Sequence, residues 1–388
     1  MMENGKMKQD TAIANSLVAK IQLGLPSTVT KLSAKMRFID HIAPKLRNSG
    51  VIRPIEKKSP LTIRVSGIAT ASKTIPAFGG ILYSAGAVRQ DLYIEEGSVY
   101  ETFQDSLVDI DEADDIDINH KLKFIHIMQV YDLLEEMLLE AHKPELVIVD
   151  TPLMLERADA PMDTHGQLYI DYQNCVERIK NFWETYQHFI FPFNRNGIRL
   201  VSVSTKRFGS IFYGLFFENK NKEMYIVDEV SFNDIEQNNE SLYKIKKVGV
   251  KKLLHGVLTR RTRTAAYQYD LLVQTNQLEP KEMRNLGIIN FHFRAGMHTQ
   301  PLLVEIMGNA REWDSQSLDE LTSYLVSLYT LDQPKALPLP LWYAEYELKP
   351  IRSGAIIHYF KTQAREMIKK EEVENVWTEE VDFFGEDE

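Results

Sequence analysis

A carboxylate at the end of a predicted buried strand is the first candidate for chemistry in this sequence. Residues 143–155 read "KPELVIVDTPLML", in which four apolar residues lead directly into Asp150 and Thr151-Pro152 follows. Such a run predicts a strand that is buried on both faces. The sheet would hold Asp150 rigidly and leave one side of its carboxylate open, which suits a metal ligand. The alternative is that Asp150 caps the turn formed with Thr151-Pro152.

Three further side chains are candidates for the same site. Asp132 lies on the polar face of a predicted helix, Lys206 ends the predicted strand "VSVSTKRF", and Asp270 stands in "TAAYQYDLLVQTN". In a two-metal nuclease, acids from distant segments hold ions that clamp the attacking and leaving oxygens of a phosphodiester. A lysine can stabilise the developing charge. The alternatives are a solvated Asp132, an exposed strand end at Lys206 and a helix cap at Asp270.

Positive charge is concentrated in residues 244–263, "KIKKVGVKKLLHGVLTRRTR", which contain eight Lys or Arg and no acid. The whole chain has a net charge of −10. A local basic segment can still bind phosphates, because salt screens charges beyond about 10 Å. We therefore predict DNA contacts from seven cations: Lys246, Lys247, Lys251, Lys252, Arg260, Arg261 and Arg263. The alternative is that this segment is the solvated face of one helix.

Negative charge is concentrated in two other segments. Residues 109–119, "DIDEADDIDIN", contain six acids and no base, and we predict a solvated loop there. The last segment, residues 371–388, has nine acids together with Trp377, Phe383 and Phe384. This composition predicts a disordered tail. The alternative is that the tail docks on a partner or covers a basic groove.

Length and composition narrow the class of protein. The 388 residues, 44% of them apolar, are enough for one large globular domain or two ordinary ones. Cys175 is the only cysteine, which excludes an intramolecular disulfide and a cysteine-based zinc site and makes a cytoplasmic location the default. No apolar run approaches the ~20 residues of a membrane span, and no secretion signal is expected.

Sequence motifs of several enzyme classes are missing. The chain has no Walker A sequence, no GxGxxG at a strand–helix junction, no HExxH and no GxSxG. ATP hydrolysis, dinucleotide chemistry and serine hydrolase chemistry are therefore unsupported.

Apolar periodicity predicts the elements that would position the candidate residues. Residues 11–50, 121–141 and 168–190 have helical spacing, and residues 61–100 have the β-branched residues and paired glycines of a hairpin. Strands are predicted at 196–208 and 210–217, and a loop or insertion at 231–244. In the C-terminal third we predict an antiparallel pair around Gly296, a helix with a capping box of Ser317 and Glu320, and a last helix near 354–371. One mixed α/β domain with decorations is the simplest account.

The helix at 121–141 has clearly separated faces. The predicted buried face is formed by apolar and aromatic residues, Phe124, Ile127, Tyr131, Leu134 and Leu138. The opposite face is formed by polar and acidic residues, Gln129, Asp132, Glu136 and Glu140.

The order of these segments over residues 60–365 resembles the NurA family of DNA-end-processing nucleases. "ELVIVDTPL" is similar to the family's strand that ends in a metal-binding acid, which places Asp150 at that acid. "YDLLEEMLLEA" is similar to the preceding helix, with Asp132 at the family's glutamate. "VSVSTKRF" and "YQYDLL" correspond to a strand ending in lysine and to a later Asp-containing segment. "INFHFRAGMHTQPLLVEIMG" and "ALPLPLWYAEYELKPI" are similar to the family's closing pattern.

The resemblance implies a fold and an activity. The fold would be RNase H-like, with a mixed central sheet flanked by helices in residues 59–370, a helical region at 1–58 and an acidic tail at 371–388. The activity would be Mn²⁺-dependent (or Mg²⁺-dependent) DNA cleavage. The partners would be DNA, a HerA-like hexameric ATPase and a second copy of the chain, and the role would be DNA repair or anti-phage defence.

The sequence departs from the family's pattern at three positions. Ser66 stands where the first motif has a metal-binding aspartate, Thr151 replaces a glycine, and Glu345 replaces a histidine. The first hypothesis is an active nuclease with a rearranged metal site around Asp150, Asp132, Asp270 and Glu345. The second is a catalytically degenerate subunit that binds DNA and a HerA-like motor. The third is an α/β scaffold with no nucleic-acid role.

Overall fold

The computed structural model describes residues 3–77, 80–113, 117–155, 157–204, 224–231, 239–269, 287–308 and 310–368. Within these ranges the strands are β1 (Ile52–Pro54), β2 (Ile63–Ala77), β3 (Gly80–Glu95), β4 (Ser98–Ala113), β5 (Leu146–Val149), β6 (Arg199–Ser204), β7 (Met224–Ile226), β8 (Thr262–Thr264), β9 (Tyr267–Tyr269), β10 (Gly287–Arg294) and β11 (Leu302–Gly308). The helices are α1 (Glu3–Asn48), α2 (Ile118–Leu139), α3 (Gln167–Tyr186), α4 (Asn239–Val248), α5 (Val250–Val257), α6 (Ser315–Ser327), α7 (Leu339–Glu347), α8 (Lys349–Arg352) and α9 (Ala355–Ile368).

One mixed sheet organises these elements. Its strand order is β1-β8-β10-β11-β6-β5-β2-β3-β4, and β9 and β7 extend it beside β10. Strands β2, β3 and β4 form an antiparallel meander, whereas β5 runs parallel to β2 and β6 runs parallel to β5. Helices α2 and α3 provide the crossovers that parallel pairing requires. The predicted mixed α/β fold, with a mixed central sheet flanked by helices, is confirmed.

Helices cover both faces of the sheet around β5. Leu146 and Ile148 belong to an apolar core with residues of α6, α7 and α8. Val147 and Val149 belong to a second core with residues of α2 and α3. The four residues of β5 are all buried, as the continuous apolar run predicts. Within the described ranges, no helix is both long and apolar enough to cross a membrane.

Several predicted elements are confirmed. The helices predicted at 121–141 and 168–190 correspond to α2 and α3, and the predicted antiparallel pair corresponds to β10 and β11. The five apolar residues predicted to face the core from α2 are all buried. The strand predicted at 196–208 corresponds to β6. Its predicted continuation beyond Ser204 lies outside the described residues, as does the strand predicted at 210–217.

Other predicted elements are wrong. The acidic run at 109–119 is not simply a loop, because residues 109–113 complete β4 opposite β3. Part of the predicted loop at 231–244 belongs to α4, whereas the helical structure predicted for residues 11–50 is confirmed by α1. Helix α6 begins with Asp314 as its N-cap, whose carboxylate accepts the Ser317 N–H, and not with the predicted capping box. Gln129, predicted to lie on the polar face of α2 opposite the core, is buried.

The basic segment at 244–263 is divided among three elements. Gly249 has a φ of 86°, a conformation that glycine adopts without strain, and it separates α4 from α5. Lys246, Lys247, Lys251, Lys252 and Arg260 are exposed, and Arg261 is partly exposed. These six positions are accessible to solvent, and their contact with DNA stays a prediction.

Arg263 is a correction to the predicted DNA contacts, because its side chain is fully buried. Its guanidinium donates to both Asp228 carboxylate oxygens, at 2.7 and 2.8 Å, and to Asp319 Oδ1 at 2.6 Å. Burial alone would raise the pKa of Asp228, but Arg263 holds that pKa below its usual range. Arg263 therefore links β8 to α6, and its positive charge is balanced by the carboxylates of Asp228 and Asp319.

We predict that Arg263→Ala lowers the free energy of unfolding by about 3–5 kcal/mol, because it leaves the buried Asp228 carboxylate without its main counter-charge. The exposed neighbour Arg260 is the matched control, and Arg260→Ala should change stability by no more than about 0.5 kcal/mol. Urea denaturation followed by circular dichroism measures both values. Equal stabilities of the two variants would contradict the assigned structural role of Arg263.

Candidate active site at the end of the central sheet

Asp150 directly follows β5, and its carboxylate is fixed by the neighbouring strand. The backbone N–H of Thr70 donates to Oδ2 at 2.9 Å, and the Thr70 hydroxyl donates to Oδ1 at 3.0 Å. The Asp150 N–H donates to the Ile68 carbonyl at 3.2 Å, which extends the pairing of β5 with β2 by one residue. Asp150 is thus anchored across the sheet and not by the turn at Thr151-Pro152.

The environment of Asp150 disfavours its negative charge. Burial raises the pKa of Asp150 to about 6, the two bonds from Thr70 act in the opposite direction, and the nearby Glu345 carboxylate raises it further. Arg352 partly offsets that repulsion. A cation placed beside Asp150 would relieve the cost of keeping this carboxylate ionised at neutral pH.

Asp150 opens into a cleft of about 510 Å³ at the end of the sheet. Strand β2, strand β6, helix α2 and helix α7 each contribute to its walls. The lining residues with polar side chains are Thr70, Ser72, His126, Asp150, Ser204, Glu345 and Arg352. The cleft is large enough for a phosphate group with its flanking sugars, and its polar groups converge on one region.

Glu345 reaches this cleft from α7. Its carboxylate accepts two bonds from the Arg352 guanidinium, at 3.0 and 3.4 Å. Both side chains are partly exposed, 33% for Glu345 and 44% for Arg352. An ion pair of this exposure contributes about 0–1 kcal/mol, so Glu345 can exchange its partner at small cost. The chain thereby brings two carboxylates from distant segments to the same cleft.

His126 of α2 is a cleft residue that was not predicted from the sequence. Its Nε2 lies 3.2 Å from the Ala71 carbonyl oxygen, which favours the tautomer that carries the proton on Nε2. Burial lowers the pKa of His126 to about 4, so the imidazole is neutral at pH 7. The other nitrogen, Nδ1, makes no hydrogen bond to the described residues and can accept one inside the cleft. Helical periodicity cannot distinguish such a histidine from an ordinary core residue.

Asp132 lies elsewhere on α2, in an ion pair that joins α2 to α3. Arg178 Nε donates to its Oδ1 at 2.7 Å, and the same guanidinium also binds Glu135. Asp132 does not line the cleft with Asp150. The structure therefore does not bring together the pair that the sequence order suggested.

Ser66 also lies apart from Asp150. It is fully buried in β2 and is paired with Val147, whose side chain faces the α2 side of the sheet. Among the described residues its Oγ has no hydrogen-bond partner. Thr70, and not Ser66, is the β2 residue that contacts the Asp150 carboxylate. A serine at position 66 consequently does not by itself remove a charge from this cleft.

Two predicted site residues, Lys206 and Asp270, lie outside the described residues. Strand β6 ends at Ser204, whose side chain lines the cleft two positions before Lys206 in the sequence. The described part of the chain contains no group of three His, Cys, Asp or Glu side chains that could hold a metal ion.

The donors that are present fit one hard cation. Asp150 and Glu345 offer carboxylate oxygens, and Thr70, Ser72 and Ser204 offer hydroxyl groups in the same cleft. Mg²⁺ in phosphate-processing enzymes is commonly held by one or two carboxylates, with water and substrate oxygens completing its shell. The cleft suits that kind of site better than a cage made of protein ligands alone.

Comparison with known proteins identifies the fold. No family model and no curated protein matches the chain. The NurA nuclease from Sulfolobus solfataricus has a similar structure, with a TM-score of 0.56 and 13% identity over 92% of this chain and 98% of that chain. A second NurA structure gives a TM-score of 0.43 at 10% identity, over 89% of this chain and 97% of that chain. A NurA structure with manganese gives a TM-score of 0.42 at 10% identity, over 88% of this chain and 97% of that chain. Of these three similarities, the first is strong enough to assign a fold, and it assigns the NurA nuclease fold.

Helix α7 can carry Glu345 to the cleft because it lies directly against a glycine of β2. A Cβ atom at Gly67 would lie 2.4 Å from the Pro340 carbonyl carbon and 2.6 Å from the Leu341 nitrogen. These are backbone atoms, so the helix itself would have to move.

We predict that Gly67→Ala displaces α7 and lowers the free energy of unfolding by about 1–3 kcal/mol, as overpacking does. The control is Gly24→Ala in α1, where no atom lies within 4 Å of the added Cβ. Because alanine favours a helix over glycine by about 1 kcal/mol, the control should be neutral or slightly more stable. Chemical denaturation measures both, and a neutral Gly67→Ala would show that α7 does not depend on this close approach.

Proposed function

We propose that the chain is a metal-dependent DNA nuclease that hydrolyses phosphodiester bonds in the Asp150 cleft. The observation that carries the proposal is the meeting of Asp150 and Glu345 in one cleft at the end of the central sheet. The NurA nuclease fold supports it, since the similar solved structure is a nuclease. The predicted DNA contacts at 246–261 supply exposed positive charge for the phosphate backbone.

Asp150 and Glu345 would hold the metal, and Mn²⁺ or Mg²⁺ is the class of ion that these oxygen donors suit. Such an ion polarises a phosphoryl oxygen and lowers the pKa of a bound water molecule. Thr70 keeps the Asp150 carboxylate oriented, because it donates to both of its oxygens. The neutral His126 can accept a hydrogen bond from water through Nδ1. Arg352, once released from Glu345, can pair with a substrate phosphate.

The finer predictions enter as parts of this proposal. Lys206 and Asp270 keep their roles as a charge-stabilising cation and an additional acid, whereas Asp132 is left to its ion pair with Arg178. We further propose a HerA-like hexameric ATPase as partner, a homodimeric chain, a cytoplasmic location, and a role in DNA repair or anti-phage defence. Co-purification with a HerA-like ATPase tests the partnership.

A second candidate function is a catalytically degenerate subunit that binds DNA without cutting it. The observation that favours it is the charge of the cleft, where Arg352 neutralises Glu345 and no third acid joins Asp150 among the described lining residues. Such a protein would retain the basic surface at 246–261 and would lack the charge needed for hydrolysis.

We predict that the purified chain cleaves linear DNA in the presence of Mn²⁺. Asp150→Asn should lower the cleavage rate by at least about 100-fold, which corresponds to a loss of about 2.7 kcal/mol of transition-state stabilisation. The matched control is Asp40→Asn, an exposed carboxyl of α1 that makes no ion pair with the described residues and does not line the cleft. A gel assay measures cleavage, and the Mn²⁺-induced rise in melting temperature measures metal binding independently.

The outcomes separate the two candidates. Cleavage that depends on Asp150 supports the nuclease. DNA binding without cleavage in either metal supports the degenerate subunit. Cleavage that is unchanged in Asp150→Asn would mean that the reaction occurs elsewhere in the protein.

A further inference from the structure

Helix α7 presents two aromatic rings to solvent beside the Asp150 cleft. Trp342 is 44% exposed and Tyr346 is 53% exposed. The other two tryptophans within the described ranges, Trp183 and Trp313, are only 0% and 5% exposed. Large aromatic side chains dominate the energetics of cores and interfaces, so a tryptophan that is left outside the core in this way points to a binding surface.

The two rings and a lysine form one strip along the side of the helix. The ring centroids of Trp342 and Tyr346 are 6.2 Å apart, and their planes differ by 35°. Residues four apart lie on the same side of a helix. The Lys349 ammonium group lies over the Tyr346 ring, 3.3 Å from its centroid. We call Trp342, Tyr346 and Lys349 the α7 platform.

The core holds the α7 platform in position. Tyr343 is partly buried against the apolar core, and its ring meets the Trp342 ring edge to face at a centroid distance of 5.2 Å and an angle of 86°. The backbone N–H of Trp342 donates to the Pro338 carbonyl at 3.0 Å. A ring that is already oriented loses less side-chain entropy when a ligand binds.

The α7 platform borders the candidate active site. Glu345, which lines the cleft, lies three residues after Trp342 and directly before Tyr346. Residues three apart on a helix are neighbours, with about 5–6 Å between their Cβ atoms. Arg352, another cleft residue, follows Lys349 by three positions. The platform is therefore placed where a polymer would pass on its way into the cleft.

The charges beside the α7 platform indicate its ligand. Lys349 and Arg352 are exposed cations at one end of it. Glu347 lies about 100° around the helix from Tyr346 and about 140° from Trp342. Proteins bind single-stranded nucleic acid with this combination, because bases stack on aromatic rings and phosphates pair with neighbouring cations. The bases of a duplex are already stacked on one another, so such rings favour unpaired bases.

We propose that the α7 platform stacks an unpaired base of single-stranded DNA whose backbone leads into the Asp150 cleft. Trp342 stacks on the base, Tyr346 extends the aromatic surface, and Lys349 pairs with a neighbouring phosphate. The identity of the polymer as DNA rests on the proposed nuclease function. The platform is distinct from the basic segment at 244–263, for which we predict phosphate contacts.

Two labelled strands of equal length test the stacking, an oligothymidylate and a strand made of abasic sites. They carry the same phosphates and differ in their bases. Fluorescence anisotropy of the full chain in EDTA measures binding without cleavage. We expect Trp342→Ala to bind the oligothymidylate at least about fivefold more weakly and the abasic strand as tightly as the unsubstituted chain does. Trp342→Phe, which retains an aromatic ring, should keep most of the preference for the oligothymidylate.

Tyr346→Ala is the second variant, and Tyr100→Ala is its matched control. Tyr100 is 52% exposed and stacks on Tyr93 at a centroid distance of 6.3 Å, but it belongs to β4 and does not line the cleft. Tyr346→Ala should weaken oligothymidylate binding several-fold, whereas Tyr100→Ala should leave it unchanged. Thermal unfolding shows that each variant is folded. Stacking should also quench tryptophan fluorescence, and the quenching by oligothymidylate should be smaller in Trp342→Phe.

Two results would overturn the platform. Equal losses on the two strands in Trp342→Ala would mean that this residue acts through the fold and not on a base. Unchanged binding of both strands in Trp342→Ala would leave the exposed rings to another kind of partner, such as a protein.

The proposed nuclease function is judged separately. Cleavage that depends on Asp150, together with unchanged strand binding in Trp342→Ala, would retain the nuclease and remove the platform. A base preference that is lost in Trp342→Ala, in a chain that cleaves no DNA, would retain the platform and remove the nuclease.

Discussion

The hydrogen bonds between Thr70 and Asp150 are the interaction on which the candidate site depends. They form because β5 pairs in parallel with β2, so that the first residue beyond β5 comes to lie beside Thr70. Backbone pairing fixes the register, and the register in turn decides which side chain meets the carboxylate. A shift of one residue would turn Asp150 away from the cleft, because successive side chains of a strand point to opposite faces. The core on both faces of β5 therefore holds the site in position as well as stabilising the sheet.

The second carboxylate arrives by a different physical route. Helix α7 can approach β2 closely because Gly67 has no side chain at the point of contact, and α8 approaches β3 in the same way at Gly86, where an added Cβ would lie 2.4 Å from Ile351 Cδ1. Glycines inside strands weaken a sheet, and a close helix contact is one of the few reasons for keeping them there. The helices that pack on β2 and β3 thus explain why these strands have glycine at positions 67 and 86.

The local sequence pattern was sufficient to predict those elements whose buried residues recur at the period of the element itself. Strand β5 and the buried face of α2 are examples, since a continuous apolar run and a helical repeat each define one environment. Gln129 was mispredicted because α2 contacts β2, β3, β4 and α3, which cover more of its circumference than one apolar stripe indicates. Residues 109–113 were mispredicted because a charged edge strand resembles a loop in sequence, although pairing with β3 makes it a strand.

Charge is where sequence and structure diverge most. Arg260 and Arg263 look equivalent in the sequence, yet Arg260 is exposed, whereas Arg263 is buried between Asp228 and Asp319 from two other segments. The same holds for the acids. Asp132 was predicted from its place on the polar face of a helix and from the family resemblance, but it is engaged by Arg178, whereas Glu345 shares a cleft with Asp150. A charged side chain acquires its role from the counter-charges that the fold places beside it. The ion pair between Glu345 and the partly exposed Arg352 contributes about 0–1 kcal/mol, so Glu345 can exchange its partner at small cost, whereas Asp228 is enclosed by buried counter-charge and cannot.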